Sequence, residues 1–189
     1  MEYMFTGTEA SIAYATAAEK IFSGDGAFLT ANPPLVPIFV SHLFQSLEIA
    51  IKTAGVESGL FSMKEARSRQ NRSGHGIKEL AALAVEKLGG DPFDPIVNVI
   101  TFSNSNRKSA NVIRLMICDP TLEKTRECYS SRRIGYGEVS KGDFGIIRPI
   151  PQWIDCVKQT AMNLPSTIDI LRQWKASPSK SKHFAIWLK

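Results

Sequence analysis

The strongest constraint in the sequence is an apolar pattern of helical period between residues 35 and 54. Apolar side chains recur there at steps of three and four, as they do on one face of a helix. These side chains are Val36, Val40, Leu43, Leu47, Ala50 and Ala54. Pro33 and Pro34 precede the pattern and Gly55 follows it, at the places where helices start and end. The sequence therefore predicts a long helix over residues 35–54 that packs its apolar stripe into a core.

Helical spacing continues through most of the chain and predicts an all-α fold of about six helices. The other segments with this spacing are residues 9–23, 77–88, 109–118 with a continuation over 121–131, 153–164 and 165–174. Residues 93–103 contain a β-branched run that is compatible with either a helix or a strand. Glycines are frequent near residues 132–147, which predicts a small irregular or hairpin insertion there.

Composition limits the class of protein. The chain has 189 residues, of which 43% are hydrophobic and 22% charged, as in a soluble globular protein. We expect a single helical domain over residues 1–175 and a basic C-terminal tail over residues 176–189. The N-terminus lacks the pattern of a secretory signal, and we recognise no membrane span in the sequence. Three cysteines and three dispersed histidines give neither a disulfide framework nor metal-ligand spacing, so we expect a cytoplasmic protein without metal or cofactor.

The net charge of +5 is concentrated in two regions. Residues 172–189 contain five Lys and Arg residues and no acid. A second cluster comprises Lys64, Arg67, Arg69 and Arg72, against Glu65. Such clusters can attract phosphates or acidic partners, although a solvated loop or a basic tail accounts for them equally well.

A polar face lies opposite the apolar stripe of the long helix. At 100° per residue it contains Ser41, Gln45, Glu48 and Lys52, with His42 at its margin. Glu48 and Lys52 form an i,i+4 pair in the favourable order. Two interpretations are open, namely a solvated face or a face buried against another helix or subunit. In the second case His42 would be available for proton chemistry near neutral pH.

Several short motifs resemble the HEPN superfamily of prokaryotic helical proteins. The long helix contains a His-x4-Leu-Glu-x3-Lys motif that starts at His42, and Gly74, His75, Gly76 and Ile77 open the next helix. Further along, residues 133–137 look like the Arg-Tyr loop of such chains, with Arg133 and Tyr136 as its characteristic side chains.

The resemblance implies an antiparallel helical bundle, commonly a homodimer, and two kinds of activity. Catalytic members are metal-independent ribonucleases with an Arg-x4-6-His motif, which Arg69 and His75 match, with Arg72 between them. In that chemistry His75 transfers the proton of a ribose hydroxyl, and an arginine stabilises the phosphorane. Non-catalytic members are modules that bind RNA, a nucleotide or a partner such as a nucleotidyltransferase, in defence or toxin-antitoxin-like settings. The binding residues would then include His42, Glu48, Lys52, Arg133 and Tyr136. A structural adaptor without nucleic-acid binding is the third possibility.

Overall fold

The computed structural model is mostly helical in the part of the chain that it describes. The described residues are 6–22, 26–68, 76–88, 112–113, 115–117, 119–131, 133–134, 137 and 151–176. Their α-helices are α1 (Gly7–Phe22), α2 (Ala27–Ala31), α3 (Leu35–Glu57), α4 (Met63–Ser68), α5 (Ile77–Leu88), α6 (Glu123–Ser130), α7 (Pro151–Met162) and α8 (Leu164–Ala176). A 3₁₀ turn, Pro120–Leu122, precedes α6.

The all-α prediction is confirmed, because these residues include no strand. The predicted count of about six helices is not confirmed, since eight α-helices and one 3₁₀ turn are bounded within the described ranges. The additional elements are short: α2 and α4 have five and six residues, and the 3₁₀ turn has three. These elements depend on local turns and caps, and they are too short to have an apolar stripe of helical period. A search for such a period therefore does not detect them.

Helix α3 is the central element of the bundle. It packs against α1, α5, α7 and α8. Its fully buried large side chains are Phe39, Leu43, Phe44 and Leu47. The predicted helix over residues 35–54 is therefore confirmed, and its apolar stripe forms the middle of the core, with Val36 packed at the edge.

The predicted helix end at Gly55 is wrong. Gly55 is buried within α3, and a Cβ atom at this position would collide with the ring of Phe61. The helix continues to Glu57, after which Gly59 adopts a φ of 71° in the left-handed region. Gly55 is thus used for close packing, whereas the backbone freedom of glycine is used at Gly59.

Helix α3 is also long and apolar enough to cross a membrane, and within the described ranges it is the one helix with this property. It has 23 residues, and half of its most apolar window is buried inside the protein. The central helix of a soluble bundle has the same length and composition, so this property is weak evidence for a membrane span.

Several predictions concern residues outside the described ranges. These include residues 93–103, most of the insertion near residues 132–147, and the tail after Ala176. Within the insertion, Gly137 donates a backbone hydrogen bond to the carbonyl of Ile134 over 3.2 Å, which is a turn. The single-domain assignment over residues 1–175 stays a prediction.

Candidate functional site

A hydrogen-bonded polar network connects α3 with α6. The carboxylate of Glu48 is 1% exposed and forms an ion pair with Lys52, whose side chain is 21% exposed. The hydroxyl of Tyr129 on α6 lies 2.6 Å from Glu48 Oε2 and 2.8 Å from Gln45 Oε1. The polar face of α3 is therefore buried against another helix at Glu48, which decides between the two interpretations of the sequence.

The local sequence places Tyr129 in this network. The 3₁₀ turn before α6 is capped by Asp119, whose carboxylate accepts a 2.8 Å hydrogen bond from the backbone nitrogen of Thr121. From there α6 runs for eight residues and directs Tyr129 to the core, where its ring centroid lies 5.5 Å from that of Phe44. Tyr129 was not among the predicted site residues. Its signal was the helical spacing of buried Leu122, Thr125 and Tyr129.

Tyr129 also lines a groove of about 210 Å³ between the start of α5 and one face of α6. The contribution of α5 is its first turn with the preceding residue: Gly76, Ile77, Lys78 and Glu79. The contribution of α6, besides Tyr129, is Glu123, Arg126, Glu127 and Ser130. These four α6 positions follow the i, i+3, i+4, i+7 spacing of one helix face.

The groove combines a buried cation with exposed carboxylates. Arg126 is 8% exposed and donates a 3.3 Å hydrogen bond to the carbonyl of Met116. Hydrogen bonds from Thr121 lower the pKa of Asp119, and the charge of Arg126 adds a smaller shift in the same direction. Glu79, Glu123 and Glu127 are exposed at the groove. With Lys78 and Arg126 as the cations, the lining therefore has one more acid than base.

His42 has a different environment from the Glu48 network. It lies six residues before Glu48, which is roughly 120° around the helix. Its ring is half-buried and makes an edge-to-face contact with Tyr14 of α1, with the centroids 5.7 Å apart. Burial lowers the pKa of His42, while a hydrogen bond to the Ile38 carbonyl opposes this shift. The imidazole is therefore neutral at neutral pH, as suits a packing contact with a tyrosine ring.

The remaining predicted site residues are not brought together within the described part of the chain. Arg133 is exposed, and its Nη1 lies 3.7 Å from Sγ of Cys128. Tyr136 lies outside the described residues, and so do Arg69, Arg72 and His75. Gly76, which follows His75 in the sequence, lines the groove. Among the described residues, no three His, Cys, Asp or Glu side chains form a group that could hold a metal ion.

Comparisons with known proteins identify no relative of this chain. No family profile, curated protein or solved structure matches this chain. The HEPN resemblance therefore rests on the sequence motifs alone, and function has to be argued from the chemistry of the residues.

Proposed function

We propose that the protein is an RNA-binding module built on a HEPN-like antiparallel helical bundle. The observation that supports this is the uneven distribution of charge along the sequence. Residues 172–189 contain five Lys and Arg and no acid, which equals the net charge of +5 of the whole chain. Residues 1–171 are therefore neutral as a whole, although Lys64, Arg67, Arg69 and Arg72 form a local basic cluster within them. A neutral scaffold that carries short basic segments suits contacts to phosphate groups.

The basic segments are the proposed phosphate contacts. Arg69 and Arg72 precede α5, and Lys180, Lys182 and Lys189 follow α8. The groove itself is a poor site for a phosphate backbone, because its three carboxylates would repel a polyanion. In this proposal the side chains of the basic segments hold the phosphate backbone, and the groove contacts another part of the RNA.

Salt dependence tests this proposal. For single strands, the logarithm of the binding constant falls with the logarithm of salt by about 0.7 per neutralised phosphate. We expect Arg69→Gln with Arg72→Gln to reduce this slope by up to ~1.4, measured by fluorescence anisotropy with a labelled single-stranded RNA. Lys20→Gln with Lys124→Gln removes the same charge from exposed positions of the helical body and is the control. The proposal is contradicted if both variants lose the same amount of slope, or if the wild type binds no RNA at low salt. Either result favours one of two alternatives: a module that binds a protein partner, or a structural adaptor that binds no nucleic acid.

Metal-independent endoribonuclease activity is the second candidate function. The observation that favours it is that Gly76, adjacent in sequence to His75, lines a groove that also contains Arg126 and Tyr129. In this reaction His75 removes the proton of a ribose 2′-hydroxyl, which attacks the neighbouring phosphorus atom. Arg69 or Arg72 stabilises the charge of the phosphorane as the 5′-oxygen leaves. The products are a 2′,3′-cyclic phosphate and a 5′-hydroxyl.

An RNA cleavage assay with excess EDTA tests this second function. Wild-type protein is expected to cut single-stranded RNA and to leave DNA intact, because DNA lacks the attacking hydroxyl. His75→Ala is expected to abolish cleavage and to retain most RNA affinity. His42→Ala serves as a matched control, since His42 packs against Tyr14 of α1. No cleavage by the wild type, or equal cleavage by wild type and His75→Ala, excludes catalysis by His75.

A further inference from the structure

The C-terminal end of α8 lies against the turn that joins α3 to α4. Nζ of Lys175 donates a 2.6 Å hydrogen bond to the carbonyl of Gly59. Nε of Arg172 donates a 3.2 Å hydrogen bond to the carbonyl of Glu57. Helix α4, which contains Lys64, begins four residues after Gly59. The two basic regions of the sequence, which begin at Lys64 and at Arg172, are therefore neighbours in the fold, although they are 108 residues apart in the chain.

Bases outnumber acids where these elements meet. We term this region the basic corner; it comprises residues 57–68 and 169–176, together with Lys87 of α5, which forms a 2.7 Å ion pair with Glu65 of α4. Two of its three acids have basic partners, since Asp169 also forms an ion pair with Arg172. An excess of positive charge of this kind attracts anions. The five bases are Lys64, Arg67, Lys87, Arg172 and Lys175, and the three acids are Glu57, Glu65 and Asp169.

Four basic side chains of the corner are accessible to a ligand. Lys64 and Arg67 are exposed on α4, and neither forms an ion pair with another described residue. Lys175 is exposed, and its contact with the α3–α4 turn uses one of its three N–H donors. Arg172 is 55% exposed, and its hydrogen bonds to the turn and to Asp169 use two of its five donors. Both side chains can therefore hold the end of α3 and still donate to a phosphate.

We propose that the basic corner binds consecutive phosphates of one single-stranded RNA, so that the two basic regions act as one continuous surface; the inference rests on the proposed function. Lys64 follows Gly59 by five residues, so their Cα atoms are at most about 18 Å apart. A stacked strand rises 3.4 Å per nucleotide, so a hexamer is about 20 Å long. One short strand can therefore contact α4 and the end of α8 together.

The salt dependence of binding to a labelled uridine hexamer tests for a continuous surface. Each phosphate contact that is lost lowers the slope of log affinity against log salt by about 0.7. We expect Arg172→Gln with Lys175→Gln to lower the slope by up to ~1.4, and Lys64→Gln with Arg67→Gln to do the same. The four substitutions together should lower it by up to ~2.8. A hexamer that bound at two separate sites would keep its slope at one site when the other was removed.

Two further variants separate charge from structure. Lys20→Gln with Lys124→Gln removes two charges at exposed positions outside the corner and should leave the slope unchanged. Cations at a helix C-terminus also stabilise the helix, so Arg172 and Lys175 contribute to the end of α3. Arg172→Lys with Lys175→Arg retains both charges while it alters these contacts, and it should retain the wild-type slope. If it loses as much slope as the glutamine pair, the effect belongs to the structure of the turn, and the proposal is overturned.

The remaining outcomes distinguish this inference from the proposed function. If a 24-mer RNA binds and the hexamer does not, the phosphate contacts lie beyond the corner. If the hexamer binds with a slope that either glutamine pair leaves unchanged, the surface is not continuous. Both results overturn the inference and leave RNA binding intact. If the wild type binds neither RNA at low salt, the proposed function and this inference both fail, and binding of oligoglutamate at the corner would then indicate an acidic protein partner.

Discussion

Replacing Leu47 with alanine is expected to lower the free energy of unfolding by about 2–5 kcal/mol, the usual range for a fully buried leucine. Leu47 is 0% exposed in the middle of α3, among side chains from several packed helices. The substitution removes apolar surface from the core and leaves a cavity that the surrounding helices close only in part. Chemical denaturation with a two-state analysis measures the change.

Ile38→Ala is the matched control, because Ile38 belongs to the same helix and is 41% exposed. Both substitutions shorten a C4 side chain to a methyl group within α3, so their difference reports burial. We expect the control to cost roughly 1 kcal/mol or less. If Leu47→Ala costs as little as Ile38→Ala, the apolar stripe of α3 is not the core of the bundle.

The core could be predicted from the sequence because one helix supplies its centre. The period of residues 36–54 identified α3 and the face that it buries, since apolar side chains at this spacing are stable only against other apolar surface. The end of α3 could not be predicted in the same way. Glycine is selected for backbone freedom or for absence of a side chain, and Gly55 meets the second requirement through its contact with Phe61. That distinction depends on a residue six positions later in the chain.

Only the α3 side of the candidate site could be predicted from the sequence. The wheel arrangement placed Gln45, Glu48 and Lys52 on one face of α3, but a polar face is compatible with solvent and with burial. Whether this face is buried depends on its contact with α6. The contacting residue, Tyr129, lies 81 residues beyond Glu48 in the sequence. Helical spacing predicted a helix over residues 121–131, but α6 has polar and charged residues at most positions, so its pattern did not identify the contact of Tyr129 with α3. The groove likewise arises where α5 and α6 meet, which no local pattern describes.

Removing the Glu48 carboxylate is expected to destabilise the protein by about 3 kcal/mol. Glu48→Ala takes the acceptor away from the Tyr129 hydroxyl and the counter-ion from Lys52. Lys52 is partly exposed and can turn to water, so the main costs are the lost tyrosine contact and the cavity. Glu48→Gln retains an acceptor of the same shape and should cost about half as much. Denaturant midpoints of the two variants give the comparison.

A third variant tests whether the polar groups of this network are needed for stability. Buried ion pairs are often no more stabilising than apolar side chains of similar volume, because desolvation offsets their attraction. Glu48→Met combined with Lys52→Met and Tyr129→Phe should therefore recover most of the stability that Glu48→Ala loses. The same triple variant leaves the α6 wall of the groove without its hydrogen bonds to α3. We expect its denaturant midpoint to stay near that of the wild type. A triple variant as unstable as Glu48→Ala would show that the polar network itself stabilises the contact between α3 and α6.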